Sequence, residues 1–455
     1  MTHPSATPRR HLGVGQASLL ALGMILSTDT LKTASTVALN VGHWHFYGLW
    51  VLGGLISMAG ALCYVEMAAA FPDAGGEYSF LRRAWGPQVG ALFAWSRFAI
   101  MHTGWIALMA YMFADYASAL LHMGHTGQVL FAMGTVAALT ALNLADVRLG
   151  FLTQALLVVL VAAGFASVVA AGLVVAPAPA LPDAGPRPPL GDISAALIYI
   201  FLAYGGWSDA ATLSAEVRAR RHGMLVASIG SIAMLIAIYV AINWALMRGL
   251  GANALAHSAA PAAQLCARAF GPAGAALIVG VVGISAIASI NSTLIVGART
   301  TYAAARDMPG LGFLGQWHPT RGTPARAVLA EGGFALLLTA AASLTESGFN
   351  TMVNYMTPVY WLFILLSMAA MIRLRLAHPE VERPVRTPLF PLFPLGFMAM
   401  AGWMLYAAFT QLGAGALFGA GVLALGIVPN WLMQRRHPLR TASGHAGDGD
   451  RQPAQ

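Results

Sequence analysis

The sequence predicts an all-α integral membrane protein of about twelve transmembrane helices, and three observations predict it. Only 9% of its 455 residues are charged while 58% are hydrophobic, whereas a soluble domain carries roughly 25% charged residues. Apolar runs recur along the whole chain, each near the ~20 residues that carry a helix across a bilayer. The connections between them are short and hold most of the arginines, as expected of loops whose positive charge sets orientation. An ordinary soluble protein and a protein with a single membrane anchor are both excluded.

Taken in order, the apolar windows place spans at 14–39, 47–71, 87–119, 127–145, 150–175, 193–215, 224–247, 273–298, 325–343, 351–372, 389–410 and 414–433. Residues 1–12 include Pro4, Pro8, Arg9 and Arg10 but lack the compact apolar core and cleavage site of a signal peptide, so the first span is expected to be retained. The organisation that follows is a tail at 1–12, a polytopic membrane domain at 13–433, and a disordered tail at 434–455 rich in Arg, Gly, Asp and Pro. The Pro-rich stretch around 177–190 cannot continue a helix and reads as an external loop.

The net charge of +8 is explained by topology rather than by nucleic acid. With the N-terminus inside, Arg9, Arg10, Arg82, Arg83, Arg148, Arg218, Arg220, Arg221, Arg299, Arg306 and the arginines from Arg321 onward all fall on the cytoplasmic side. Arg187, Arg248 and Arg268 fall opposite, and Lys32 and Arg97 lie inside spans. Both termini are thus expected in the cytoplasm of a cell whose inner membrane holds the chain. Cys63 and Cys266 sit in or beside apolar segments with no CxxC, so no disulfide framework, metal site or cofactor is expected.

Two spans are interrupted by polar residues. Span one carries Gly23-Met24-Ile25-Leu26-Ser27-Thr28-Asp29-Thr30-Leu31-Lys32, and span six carries Ala203-Tyr204-Gly205-Gly206-Trp207-Ser208-Asp209. Interruptions five spans apart are the pattern of a transporter with inverted repeats, whose half-helix ends offer bare N–H and C=O groups to a substrate at the bilayer centre. The plainer reading is close helix packing through Gly and Ser, which does not call for an Asp and a Lys at that depth. HExxH, GxSxG and paired intramembrane aspartates are absent, as is a P-loop, so neither an enzyme nor a primary pump is expected. A channel or receptor is the alternative of another class.

CYVEMAAAFPDAGGEYSFLRRAWGPQVGALFAW (63–95), FLAYGGWSDAATLSAEVR (201–218), INSTLIVGARTTYAAARD (290–307) and RPVRTPLFPLFP (383–394) together resemble the amino acid/polyamine/organocation permease superfamily. Within it, the chain is similar to bacterial amino acid permeases related to the L-type exchangers, from about residue 13 to 410. The resemblance implies the LeuT-type fold, with five helices repeated in inverted orientation plus two more. It also implies alternating-access transport of amino acids, proton-coupled or by exchange, with polyamines or other organic amines as the second substrate class. It leaves room for a homodimer.

At the break the family's Gly-Ser-Gly becomes Ser27-Thr28-Asp29. That turn resembles a cradle in which exposed N–H groups hold a substrate carboxylate; an Asp there repels a carboxylate and attracts an ammonium. The expected substrate-binding set is Ser27, Thr28, Asp29, Thr30, Arg97, Tyr204, Gly205, Gly206 and Trp207, with Lys32, Glu66, Asp209 and Ser289 in coupling or gating. Asp29 and Lys32, spaced i, i+3, can simply neutralise each other; alternatively Lys32, the one lysine, replaces a coupling cation, since span five has no ionisable residue after Arg148. Arg97 either snorkels or grips a carboxylate of the substrate, Asp209 or Glu66. His102 is a packing histidine or a proton relay. Asp209 caps the resumed helix six or gates it, Glu66 is a gate or scaffold partner, and Tyr204 with Trp207 forms a lid or packs the core. Ser285, Ser289 and Ser292 either line a sodium site beside the span-one break or bond the preceding turn. Lys32 is expected to touch Asp29 or these hydroxyls.

Overall fold

The order of helices follows the apolar runs closely. The computed structural model describes residues 27–71, 76–144, 151–179, 187–206, 229–307, 312–316 and 324–436. Among these residues all regular structure is helical. The elements are α1 (Asp29–Val41), α2 (Phe46–Ala70), α3 (Glu77–Trp85), α4 (Pro87–Ser96), α5 (Thr103–Leu121), α6 (His125–Leu144), α7 (Phe151–Val174), α8 (Leu190–Ala203), α9 (Ser231–Leu250), α10 (Ala252–Ala256), α11 (Pro261–Asp307), α12 (Ala325–Ala342), α13 (Gly348–Ala377), α14 (Leu392–Gln411) and α15 (Ala414–Arg436). Eight helices among the described residues are long and apolar enough to cross a membrane. Leu130, Leu173, Leu337, Leu417 and Leu425 are each more than half exposed, an outward apolar face that a water-soluble surface does not carry at this density.

Three local features position the site. Gly86 and Pro87 start α4, which runs into α5 through a π-helical turn, Arg97–His102; the Thr103 hydroxyl donates to Phe98 O (3.1 Å), helping to satisfy that turn. Helix α11 bends at Gly271 (φ 68°), next to Pro272, because only glycine adopts that backbone at little cost and Pro272 lacks an N–H. The predicted span at 273–298 is therefore the longer arm of α11. Between spans two and three, where no span was expected, α3 lies with Phe80, Leu81 and Ala84 buried and Arg83 exposed.

The core is formed where α5 packs on α11, α13 on α5 and α14, and α1 on α8. Its largest fully buried side chains include Trp50, Tyr64, Tyr116, Tyr204, Tyr239 and Tyr355. Buried phenols usually find hydrogen-bond partners, and two of them join helices distant in sequence: the Tyr355 hydroxyl donates to Ala99 O (2.7 Å) and that of Tyr111 to Thr339 O (2.6 Å).

Candidate functional site

Ser27 and Thr28 precede the first helical residue of α1, Asp29. Helix α8 ends at Ala203, followed by a turn over Tyr204–Gly206 in which Gly206 has φ 85°, a left-handed conformation suited to glycine. The expectation of irregular backbone covers Tyr204–Trp207, and its described part, Tyr204–Gly206, is a turn. At the first break it needs correction: Asp29 and Thr30 are helical, because an acid in the first turn faces unpaired amides and the positive end of the helix dipole. Residues 1–26 and 207–228, with Trp207 and Asp209, lie outside the described residues.

The start of α1 and the turn after α8 meet through one tyrosine of α9. The Ser27 amide donates to the Tyr239 hydroxyl (3.5 Å), which donates to Ala203 O (3.1 Å). The Thr28 hydroxyl donates to Ser285 Oγ of α11 (3.1 Å). Trp50, Tyr204 and Tyr239 cluster behind this junction, with ring centroids 5.1–6.3 Å apart. Gly54 of α2 makes room for them, since an added Cβ would come 3.0 Å from the Tyr204 ring and would collide with Ile236.

Polar groups at this junction are buried without partners. Both Asp29 carboxylate oxygens, the Thr30 and Tyr204 hydroxyls and Trp50 Nε1 make no well-formed hydrogen bond among the described residues, although the Ser27 side chain and the Asp29 and Thr30 amides lie beside the Asp29 carboxylate. Orphaned buried polar atoms are uncommon, and each costs roughly 1–3 kcal/mol. Here one acidic acceptor and several donors gather between the start of α1 and the turn after α8, a set of polar groups suited to a small polar molecule.

The remaining candidates fall elsewhere. Lys32 touches neither Asp29 nor the serines: its Nζ lies 3.1 Å from Asp115 Oδ2 on α5 and donates to Ala259 O (2.8 Å), just before α11. The i, i+3 pairing with Asp29 is overridden because Asp115 and the Ala259 carbonyl together satisfy more of the ammonium's donors. Of the three serines only Ser285 bonds the break; Ser289 accepts from Trp105 Nε1 (2.8 Å), and Ser292 is exposed. Arg97 does not reach Glu66. It packs over the Phe93 ring (5.8 Å) within electrostatic reach of His102 and Glu331.

Glu66 is instead clamped by the end of α13 and the 383–394 segment. Arg375 Nη1 donates to Oε2 (3.2 Å), Arg383 Nε lies 3.6 Å from Oε1, and the Thr387 amide donates to Oε2 (2.6 Å). The neighbouring Glu77 accepts from Tyr64 and Ser367, each at 2.7 Å. Glu66→Gln is therefore expected to lower the thermal midpoint of the purified protein by several degrees, since weakening a buried charge cluster from one side costs about 2–3 kcal/mol. Ligand binding at the breaks should be unchanged. A melting curve beside a binding isotherm checks it, and an unaltered midpoint contradicts the scaffold role.

Comparison with known proteins decides the family. The amino acid permease family model matches residues 12–433. The chain belongs to the amino acid permease family. This permease is 26% identical over 394 residues to the b(0,+)-type amino acid transporter 1 of Mus musculus, covering 84% of this chain and 79% of that protein. It is 27% identical over 393 residues to the Homo sapiens protein of the same name, with the same coverages. It is 26% identical over 406 residues to the large neutral amino acids transporter small subunit 2 of Oryctolagus cuniculus, covering 86% and 75%. Family and relatives are transporters rather than enzymes, and the permease is a multi-pass membrane protein.

Sequence reasoning missed Tyr239 and Trp50, which complete the site, and Asp115 and Glu331, which lie away from it and hold Lys32 and His102. Tyr239 and Trp50 carry no distinguishing sequence signal. Asp115 and Glu331 do, as acids inside apolar spans, and pairing intramembrane acids with Lys32, Arg97 and His102 would have pointed to them.

Proposed function

We propose that this permease is a secondary active transporter that binds an amino acid between the start of α1 and the end of α8 and moves it by alternating access. The observation that carries this reading is the group of buried polar atoms, unpartnered among the described residues, between the start of α1 and the turn after α8 bridged by Tyr239, in a chain of the amino acid permease family. The eight long apolar helices, the three shorter ones and α1 support twelve spans, and interruptions in spans one and six support the inverted-repeat arrangement of the LeuT type. The distribution of arginines supports an inner-membrane protein with both termini in the cytoplasm. The driving force is a proton gradient or exchange.

Asp29 favours a second substrate class, polyamines or other organic amines, because its carboxylate offers a counter-charge to an ammonium. Reconstitution into proteoliposomes tests both readings. Counterflow of labelled amino acids, amines and dipeptides is measured with and without a pH gradient. Saturable counterflow of amino acids is the expected result; counterflow of none of the panel rejects the transport reading.

A further inference from the structure

The pair His102–Glu331 lies away from the break and takes no part in substrate binding as described above. Glu331 of α12 is fully enclosed, at 0% exposure, and its Oε1 lies 3.2 Å from His102 Nδ1 on the π-helical turn. Its Oε2 has no hydrogen-bond partner among the described residues. The carboxyl is seated directly against the backbone of Gly297 on α11, where any Cβ would collide with it. An acid inside a membrane span that holds one histidine and leaves one oxygen bare is a functional candidate rather than a packing element, and π-turns recur at functional sites.

We propose that His102 and Glu331 form the site that carries a coupling proton during transport. The proposal rests on the transport reading and adds to it the ion and its seat. The His102 side chain is 10% exposed while Glu331 is sealed, so of the two only the imidazole touches solvent and can pass a proton on. A proton arriving at His102 Nε2 forms an N–H bond there; the Nδ1–H bond breaks and its proton passes to Glu331 Oε1. The products are a neutral carboxylic acid and the other imidazole tautomer. Release runs the same transfers in reverse, so the cycle consumes no co-reactant beyond the proton.

Among the described residues the groups facing the pair are few. From its own turn comes Arg97, within electrostatic reach of both members. From α13 the Tyr355 hydroxyl donates to Ala99 O. α11 contributes the Gly297 backbone, and the nearest basic residues on α11 and α12, Arg299 and Arg326, are exposed. Loading Glu331 removes one unit of negative charge beside Arg97 and Gly297.

Two helices connect that change to the break. α11 bonds Thr28 through Ser285, about 18 Å along the helix from Gly297 at 1.5 Å per residue. Between them Ser289 accepts from Trp105 and Asn291 accepts from Asn143 of α6 (2.7 Å). α5 begins one residue beyond His102 and carries Trp105 and Asp115.

The test uses proteoliposomes loaded with a pH-sensitive dye. Counterflow of a labelled amino acid at equal pH reports substrate handling, and accumulation under a pH gradient with the dye signal reports coupling. Wild type should do both, and substrate should drive proton movement. Glu331→Gln should keep counterflow within about threefold and lose gradient-driven accumulation at least tenfold. If Glu331→Gln shows no counterflow, His102→Gln takes the same test with the same expected outcome. Gradient-driven accumulation retained in the variant overturns the proposal, and so does a wild type that counterflows without moving protons. Absence of wild-type counterflow would instead reject the transport reading.

Discussion

Replacing Asp29 by Asn is expected to raise the apparent dissociation constant for an amine-bearing substrate about tenfold or more. A charge-assisted hydrogen bond is roughly twice as strong as a neutral one, and tenfold corresponds to about 1.4 kcal/mol. The geometry sharpens the expectation, because the cation that could have neutralised Asp29 within its own helix is engaged elsewhere: Lys32 pairs with Asp115. Asp29 is then a buried carboxylate with no ion-pair partner among the described residues. A substrate ammonium supplies one, with any carboxylate held by donors such as Tyr204 or by the amides at the start of α1. Competition measurements check this directly. Amines lacking a carboxylate should compete with the labelled substrate if Asp29 is the anchor. Competition by intact α-amino acids alone, with unchanged affinity in Asp29→Asn, would restore the ordinary carboxylate cradle.

Lys32→Ala should abolish accumulation against a gradient while weakening substrate binding far less. Lys32 joins α1 to α5 and to the segment before α11, with side-chain exposures of 10% for Lys32 and 17% for Asp115. Removing one member of such an enclosed pair leaves the other without its counter-charge, at a cost of about 3 kcal/mol. Because the bridge exists in this conformation, the loss falls on this state relative to any in which α1 has moved away. A 3 kcal/mol bias is enough to shift a two-state balance by about 100-fold. The double variant Lys32→Ala with Asp115→Ala removes both charges and should recover much of the activity, which a role of Lys32 as the coupling cation does not predict. Concentrative uptake unchanged in the single variant contradicts both roles.

Much of the architecture was legible before any coordinates. Hydropathy located helices at nearly every predicted span, because a membrane helix must be apolar along its whole length. The break in span six was legible for a related reason: Tyr204-Gly205-Gly206 in an apolar run has no other purpose as strong as ending a helix, and α8 does end at Ala203. Span one was read one step too far, since Ser27 and Thr28 mark the boundary while Asp29 already belongs to the helix. α3 was missed because a nine-residue amphipathic helix lying along the surface leaves too short an apolar signal.

Partnership was where one-dimensional reading reached its limit. Composition, the apolar runs and the motifs at 63–95, 201–218, 290–307 and 383–394 by themselves determined a multi-pass permease, because those properties depend on residues near one another in the chain. Only the tertiary structure decided that Lys32 belongs to Asp115 rather than Asp29, that Glu66 belongs to Arg375 and Arg383 rather than Arg97, and that Tyr239 ties Ser27 to Ala203. The physical reason is that a buried charge or hydroxyl is satisfied by whatever group helix packing brings within about 3 Å, and in a bundle that group comes from a helix tens to hundreds of residues away.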